Sequence, residues 1–223
     1  MVPATLLARM LMLLPPMLIM LSAVDLAVPA AATGGAPRFE PEPAAGRYLV
    51  ASETMEDPRF RRTVILIVEH GDKGTLGVII NRPAAIPMAT LGEGFHDDPL
   101  RIGGPVEPRR LSMIFQGSPL AESQATDSSP QSEDPGPAVI ELPGNLRFVL
   151  GHEAVFHVHS RLDGAAPRRI FAGYAGWGPG QLESELHRHD WHLTEDDPSL
   201  AFSEEDPRAV WTRLIRRLRG AWI

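Results

Sequence analysis

Thr63-Val64-Ile65-Leu66-Ile67-Val68 is the segment that most restricts the fold of this chain. It is apolar, dominated by β-branched residues and free of alternation, so it has no face to offer to water. Such a run fits a strand buried on both sides of a sheet, and it is the expected sheet centre. Tyr48-Leu49-Val50-Ala51 is a second strand candidate. Asp57-Pro58-Arg59-Phe60 between them sets a capping carboxylate before a proline, which suits a turn or a first helical turn.

Punctuation and periodicity extend this sheet. His70-Gly71-Asp72-Lys73-Gly74 supplies turn residues, and Gly77-Val78-Ile79-Ile80-Asn81 resumes as a strand that Pro83 stops, so the pair reads as a hairpin. Arg101-Ile102-Gly103-Gly104-Pro105 is expected to be a tight turn, and Leu111 to Phe115 a strand. Residues 117–145 are a Ser, Pro, Asp and Glu mixture that reads as a long mobile loop, with Ala138-Val139-Ile140 as an edge strand. Phe148-Val149-Leu150 leads into a short helix over Ala154 to Leu162, and Arg169 to Tyr174 is a further strand. After the breaker Gly178-Pro179-Gly180, Leu182 and Leu186 stand at i,i+4 spacing, which predicts a helix over Gln181 to His189. A last helix begins at Asp206-Pro207 and aligns Val210, Trp211, Leu214, Ile215 and Leu218 on one stripe.

With 223 residues, 43% of them hydrophobic, the chain can bury one sizeable core, and one mixed α/β domain of about 180 residues is expected. The first 32 residues stand apart. Arg9 precedes the apolar run Met10 to Val24, and Ala30-Ala31-Ala32 offers small residues for cleavage, the three parts of a secretory signal peptide. Pro15-Pro16 and Asp25 interrupt the run too often for a membrane span. Residues 33–45 read as a flexible Gly/Pro/Ala tether, and 46–223 as the folded domain. The expected location is therefore outside the cytoplasm, periplasmic or secreted. A start codon placed too early, with translation beginning near Met55, would instead leave the chain cytoplasmic.

Chemistry is harder to find. The absence of cysteine excludes disulfides, thiolate nucleophiles and Cys-ligated metals. A formal charge of -7 disfavours broad nucleic-acid binding. In His152-Glu153-Ala154-Val155-Phe156-His157 the histidines are i,i+5, the wrong spacing for one metal on one helical face. His187, His189 and His192 surround Trp191 and read as solvated surface, although a pair of them with Asp190 would suit a loosely held metal. Neither a nucleophile elbow nor a phosphate loop is present. No metal and no cofactor is assigned. Arg213, Arg216, Arg217 and Arg219 make the last helix basic, and it and the leader are the routes by which the chain would contact a membrane.

Several stretches taken together are more specific. Tyr48 to Ala51, Asp57 to Phe60, Val64 to His70 and Gly74-x-x-Gly77-Val78-Ile79-Ile80-Asn81-Arg82-Pro83 resemble the N-terminal half of the YqgE/AlgH family (UPF0301), a domain of unknown function. Gly103-Gly104-Pro105-Val106 is similar to the family's central turn. Gly173-Tyr174-Ala175-Gly176-Trp177 followed by Gly180-Gln181-Leu182-Glu183-x-Glu185-Leu186 and Trp191 resembles its C-terminal signature. The resemblance implies an α+β fold, one domain with a strongly bent mixed sheet and flanking helices. It implies little about activity.

Most residues that carry the resemblance set turns and caps. Asp57, Arg59, Glu69, His70, Asn81, Arg82, Gln181 and Glu183 are the polar subset that would line a cleft where strand ends meet the central turn, with Gly103, Gly104, Tyr174 and Trp177 beside them. The reading that follows is a non-enzymatic binding or accessory domain whose partner is an unknown small molecule or protein. One alternative is a hydrolase or transferase using Asp57, Glu69 and His70 as acid and base. A transcriptional regulator is the other, and it requires the leader to be an artefact of the start codon.

Overall fold

The computed structural model describes residues 42–85, 100–117, 137–195 and 197–220. The fold is that of the unit Glu40–Ile223, and the expected leader lies outside the described residues, as do most of the tether and 118–136 of the expected loop. Nine strands form one sheet among the described residues: β1 (Tyr48–Ala51), β2 (Val64–Gly71), β3 (Gly74–Ile79), β4 (Leu100–Ile102), β5 (Val106–Gln116), β6 (Ile140–Leu142), β7 (Leu146–Leu150), β8 (Arg168–Trp177) and β9 (Trp191–Thr194). Three helices accompany them, α1 (His152–His159), α2 (Gln181–His187) and α3 (Pro207–Gly220). The strand order is β6-β7-β5-β8-β3-β2-β1-β9, and every pair along it is antiparallel. β4 adds to β8 in parallel, which makes the sheet mixed and the domain α+β.

The β2 run has no water-facing side, as its composition requires. Val64, Leu66 and Val68 enter one core with Tyr48, Phe171 and the α3 stripe, while Ile65 and Ile67 enter another with Leu182 and Trp191. Each such side chain contributes about 2 kcal/mol by leaving water. A third core lies under α1, where Val155 and Val158 pack on Met113, Phe115 and Ile170. One face of the sheet thus takes α3, and the other takes α1 at one end and α2 at the other.

β8, rather than β2, is the hub. It pairs with β5 on one edge and with β4 and then β3 on the other. That succession needs the chain between β4 and β5 to press backbone against backbone. Gly103 N donates to Ala172 O and Gly103 O accepts from Ile79 N, both at 2.8 Å. A Cβ on Gly103 would strike Gly173 O, and one on Gly104 would strike the Tyr174 carbonyl. Gly173 itself takes φ 71, inside a register shift between Val106 and Leu111 that bends the pair. A second shift, between Ile67 and Glu69, bends β2 against β3.

Several boundaries differ from the sequence expectation for physical reasons. The expected turn at Arg101 starts only at Gly103, because Leu100, Arg101 and Ile102 find the free edge of β8. The edge strand falls at Ile140–Leu142 instead of 138–140, since Leu142 is the residue that reaches the core. A 3-10 turn at Pro143–Asn145 then carries the chain into β7, so the last residues of the expected loop are regular structure. β9 is a strand that the sequence pattern does not predict. The hairpin between β2 and β3 is closed by Asp72-Lys73, with Gly71 paired to Gly74. A chain starting at Met55 would lack β1, the strand that joins β2 to β9.

The final helix is fixed at its start. Asp206 Oδ1 accepts from Arg208 N at 2.9 Å and Ala209 N at 3.2 Å, the expected cap. Trp211 Nε1 donates to Ala51 O at 2.8 Å in the core. Among the described residues no helix is long and apolar enough to cross a membrane.

Gly103→Ala is expected to destabilise the domain by about 3 kcal/mol or more, since the clash is with backbone that cannot move aside. Gly164→Ala, where nothing lies within 4 Å of the added carbon, should change stability by less than about 1 kcal/mol. Equal urea midpoints for the two variants would contradict this account of the central turn.

Candidate functional site

The polar residues marked by the sequence divide among several places. Asp57 accepts from its neighbour Arg59, with Oδ1 2.9 Å from the backbone N and 3.0 Å from Nε, and Oδ2 2.7 Å from Nη2. The Arg59 guanidinium holds the Asp57 carboxyl below the usual carboxylate range, and Asp57 raises the arginine in return. Arg82, lowered by burial, donates through Nη1 to Arg59 O and ties this turn to the end of β3. Asn81 is buried. Its Oδ1 accepts from Val64 N at 2.8 Å, and its Nδ2 donates to Arg62 O at 3.0 Å and Pro207 O at 2.9 Å. One side chain thereby links β2, the end of β3 and the start of α3.

Gly103 and Gly104 are packed on β8 and open onto nothing. Tyr174 donates to Glu107 Oε1 at 2.9 Å, and Arg110 Nη1 holds the other oxygen at 3.0 Å. Arg110, then Tyr174, lowers the Glu107 carboxyl, while burial and then Glu107 raise the Tyr174 phenol. Glu69 lies exposed at the β2 bulge.

The C-terminal signature builds a clamp. Glu185 Oε2 accepts from the indoles of Trp177 at 2.9 Å and Trp191 at 2.8 Å. Glu185 Oε1 accepts from Gln181 Nε2 at 2.9 Å, and Gln181 Oε1 accepts from Gly178 N at 3.1 Å. The two indoles meet edge to face with centroids 5.9 Å apart, and the Phe60 ring lies against both, at 6.3 and 5.6 Å. Glu185 was missed as a key residue because its indole partners lie eight residues before it and six after it. Only a folded strand–helix–strand unit brings them together.

Beside the clamp is a cavity of about 730 Å³. Glu183, Leu186 and His187 reach it from one face of α2, at the i+3 and i+4 spacing that places side chains together. His189, in the left-handed region at φ 59, ends the helix, and Trp191, His192 and Leu193 form the wall along β9. His70 comes from β2, Leu218 from the last turn of α3, and Glu42 and Pro43 from the approach to β1. Of the sequence candidates, His70 and Glu183 meet here. His70 Nδ1 is 2.8 Å from Thr75 Oγ1, and its Nε2 is 3.5 Å from Glu183 Oε1.

Burial, and after it the charge of His189, lowers the His192 imidazole, while Glu53 opposes the shift and Arg219 adds to it. Asp190 is committed to Arg188 at 2.9 Å. Among the described residues no three histidines or carboxylates adopt a metal-holding arrangement.

The profile of the AlgH-like family (DUF179) matches residues 48–223, from β1 through α3 and so across every element of the sheet, the clamp and the cavity wall. The chain belongs to this family. It is 36% identical over 188 residues to a UPF0301 protein of Streptomyces coelicolor, covering 78% of this chain and 86% of that protein. A UPF0301 protein of Rhodococcus erythropolis is 38% identical over 189 residues, with 80% and 85% covered. The solution structure of the AlgH protein from Pseudomonas aeruginosa superposes with a TM-score of 0.56 at 25% identity, covering 83% of this chain and 92% of that one. The crystal structure of a Corynebacterium diphtheriae protein does so with a TM-score of 0.55 at 26% identity, covering 80% and 88%.

Two outcomes follow from the geometry. Glu185→Ala leaves two buried indole N–H groups without an acceptor and should cost about 2–4 kcal/mol, whereas Glu185→Gln, which keeps an oxygen, should cost less. The comparison is read from urea unfolding, and equal costs would contradict the clamp. The folded His192 pKa lies below the 6.5 of a free imidazole. The unfolded chain therefore binds more protons as pH falls through that value, and folding loses stability on the acid side. His192→Gln should flatten the fall in Tm between about pH 7 and pH 5, and an unchanged slope would contradict it.

Proposed function

We propose that this member of the family is a binding module whose small organic ligand sits in the cavity between α2, β9 and the end of α3. The observation that carries the reading is the cavity itself, whose volume of about 730 Å³ falls in the range that holds small molecules. Leu186, Trp191, Leu193 and Leu218 offer apolar surface, and His70, His187, His189 and His192 offer imidazole donors and acceptors around Glu183. A ligand with an apolar body and a hydrogen-bonding head suits that lining.

A DNA-contacting role has less support. On α3, Arg213 is paired with Glu205 at 3.4 Å and Arg219 with Glu53, so part of the basic surface is already neutralised. Export belongs to the same proposal, with residues 1–32 as a cleaved leader. N-terminal sequencing of the native protein should find a mature chain beginning near Thr33 outside the cytoplasm.

One observation favours acid–base chemistry as a second reading. It concerns His70 and Glu183 rather than Asp57 and Glu69, because Thr75 orients the imidazole toward a carboxylate at the cavity. Asp57, held ionised by Arg59, is poorly suited to donate a proton.

Thermal unfolding of the purified chain against a panel of metabolites tests the main reading. A true ligand at about 100 times its Kd should add about 2.7 kcal/mol of stability. Leu193→Trp, which fills the cavity, should abolish that gain while keeping the fold. A gain of equal size in the filled variant would place the ligand elsewhere, and no gain with any compound would oppose the binding reading. If His70→Gln retains the ligand but loses its turnover, the second reading replaces the first.

A further inference from the structure

Most of the buried side-chain nitrogen and oxygen atoms that lack a hydrogen-bond partner among the described residues lie in one place. They are Arg101 Nε, Ser112 Oγ, Arg169 Nε and Arg169 Nη1, with Arg47 Nη1 standing apart. The sheet register explains the concentration. Arg101 on β4 and Ser112 on β5 both pair with Phe171 of β8, from opposite edges. Arg169 lies two residues before Phe171 on the same strand, so all four side chains project from one face of the sheet.

The two guanidiniums are deeply buried. The Arg101 side chain is 8% exposed and the Arg169 side chain 2%. Burial, and next to it the charge of Arg169, pushes the Arg101 guanidinium down. Arg169 Nη2 donates to Phe202 O and to Glu204 Oε1, both at 2.7 Å, and lies 3.4 Å from Ser203 O. Arg101 Nη2 reaches Glu204 Oε2 at 3.8 Å. Glu204 is thus the carboxylate that both arginines share, and its own side chain is 75% exposed.

Two buried positive charges facing one solvated negative charge leave the pair under-neutralised. A buried charge without a counter-charge is strongly unfavourable, and a cluster of orphaned donors marks a place where an unseen acceptor belongs. Guanidinium forks accept oxyanions in bidentate fashion, and a serine hydroxyl adds one more donor. Glu204 is mostly in water, so an oxyanion that takes its place keeps the arginines neutralised while the glutamate returns to solvent.

We propose that Arg101, Arg169 and Ser112 form a binding site for a small oxyanion, the phosphate group or carboxylate of a ligand, with Glu204 as the carboxylate that holds the site closed in its absence. The site is separate from the α2–β9 cavity, being built by β4, β5, β8 and the segment leading into α3. The ligand exchanges for Glu204 without covalent chemistry.

The test is thermal unfolding of the whole chain in sodium chloride, inorganic phosphate and acetate at matched ionic strength. Phosphate or acetate, at about 100 times Kd, should raise Tm by about 5 °C or more over chloride. Glu204→Gln should bind the anion about tenfold more tightly, because nothing has to be displaced, and Arg169→Met should lose the response. A phosphate-only effect identifies a phosphate group, and an effect shared with acetate identifies a carboxylate. Glu204→Gln keeps an amide oxygen to accept from Arg169 Nη2, so this variant folds, less stably than the wild type, and keeps the test decisive if Arg169→Met does not. Phosphate and acetate acting no differently from chloride, in both the wild type and Glu204→Gln, would overturn the proposal.

Discussion

The fold depends on one contact in which no side chain takes part. Gly103 and Gly104 lie against the carbonyls of Gly173 and Tyr174, and this closeness lets a single edge of β8 receive β4 and then β3. Together with the direct pairing of β3 with β8, that contact joins a β1-β2-β3-β9 part of the sheet to a β4-β5-β6-β7-β8 part, and the core under α3 draws residues from both. Hydrogen bonds to Gly103 from both neighbouring strands replace what side-chain packing would otherwise supply. Small residues there are a condition of the architecture.

Much of this was legible in the sequence where local physics dominates. The unbroken β2 run, the Asp206-Pro207 start of α3 and its apolar stripe all depend on neighbours within a few residues, and periodicity and capping report them well. β4 and β9 were not legible. Each is short, and each is a strand only because a distant edge is free to pair with it: Arg101 with Phe171, His192 with Val50.

The site was less legible than the fold for the same reason. His187, His189 and His192 looked like scattered surface because their spacing along one helix does not converge. The turn at Arg188–Asp190 and the pairing of β9 with β1 bring them to one cavity beside His70. Asn81 and the central glycines were readable as special positions, and the structure places them in three hydrogen bonds in one case and in close backbone contact in the other. Arg101 and Arg169 carried no motif at all. That some of their buried nitrogens lack partners follows from burial and register, neither of which a linear pattern displays. Residues that specify the shape of this family and residues free to do chemistry are therefore largely different sets, with His70 and Glu183 the two candidates from the sequence that stand at the cavity.

The central functional claim is that the α2–β9 cavity is where this chain meets its ligand. The most direct measurement is two-dimensional NMR of the imidazole and indole groups of the labelled protein, with and without a small-molecule extract of the cells that produce it. The account predicts shifts confined to His70, His187, His189, His192 and Trp191. Shifts centred instead on imidazoles and indoles away from the cavity, such as His152, His157 and Trp211, or no shifts, would contradict it.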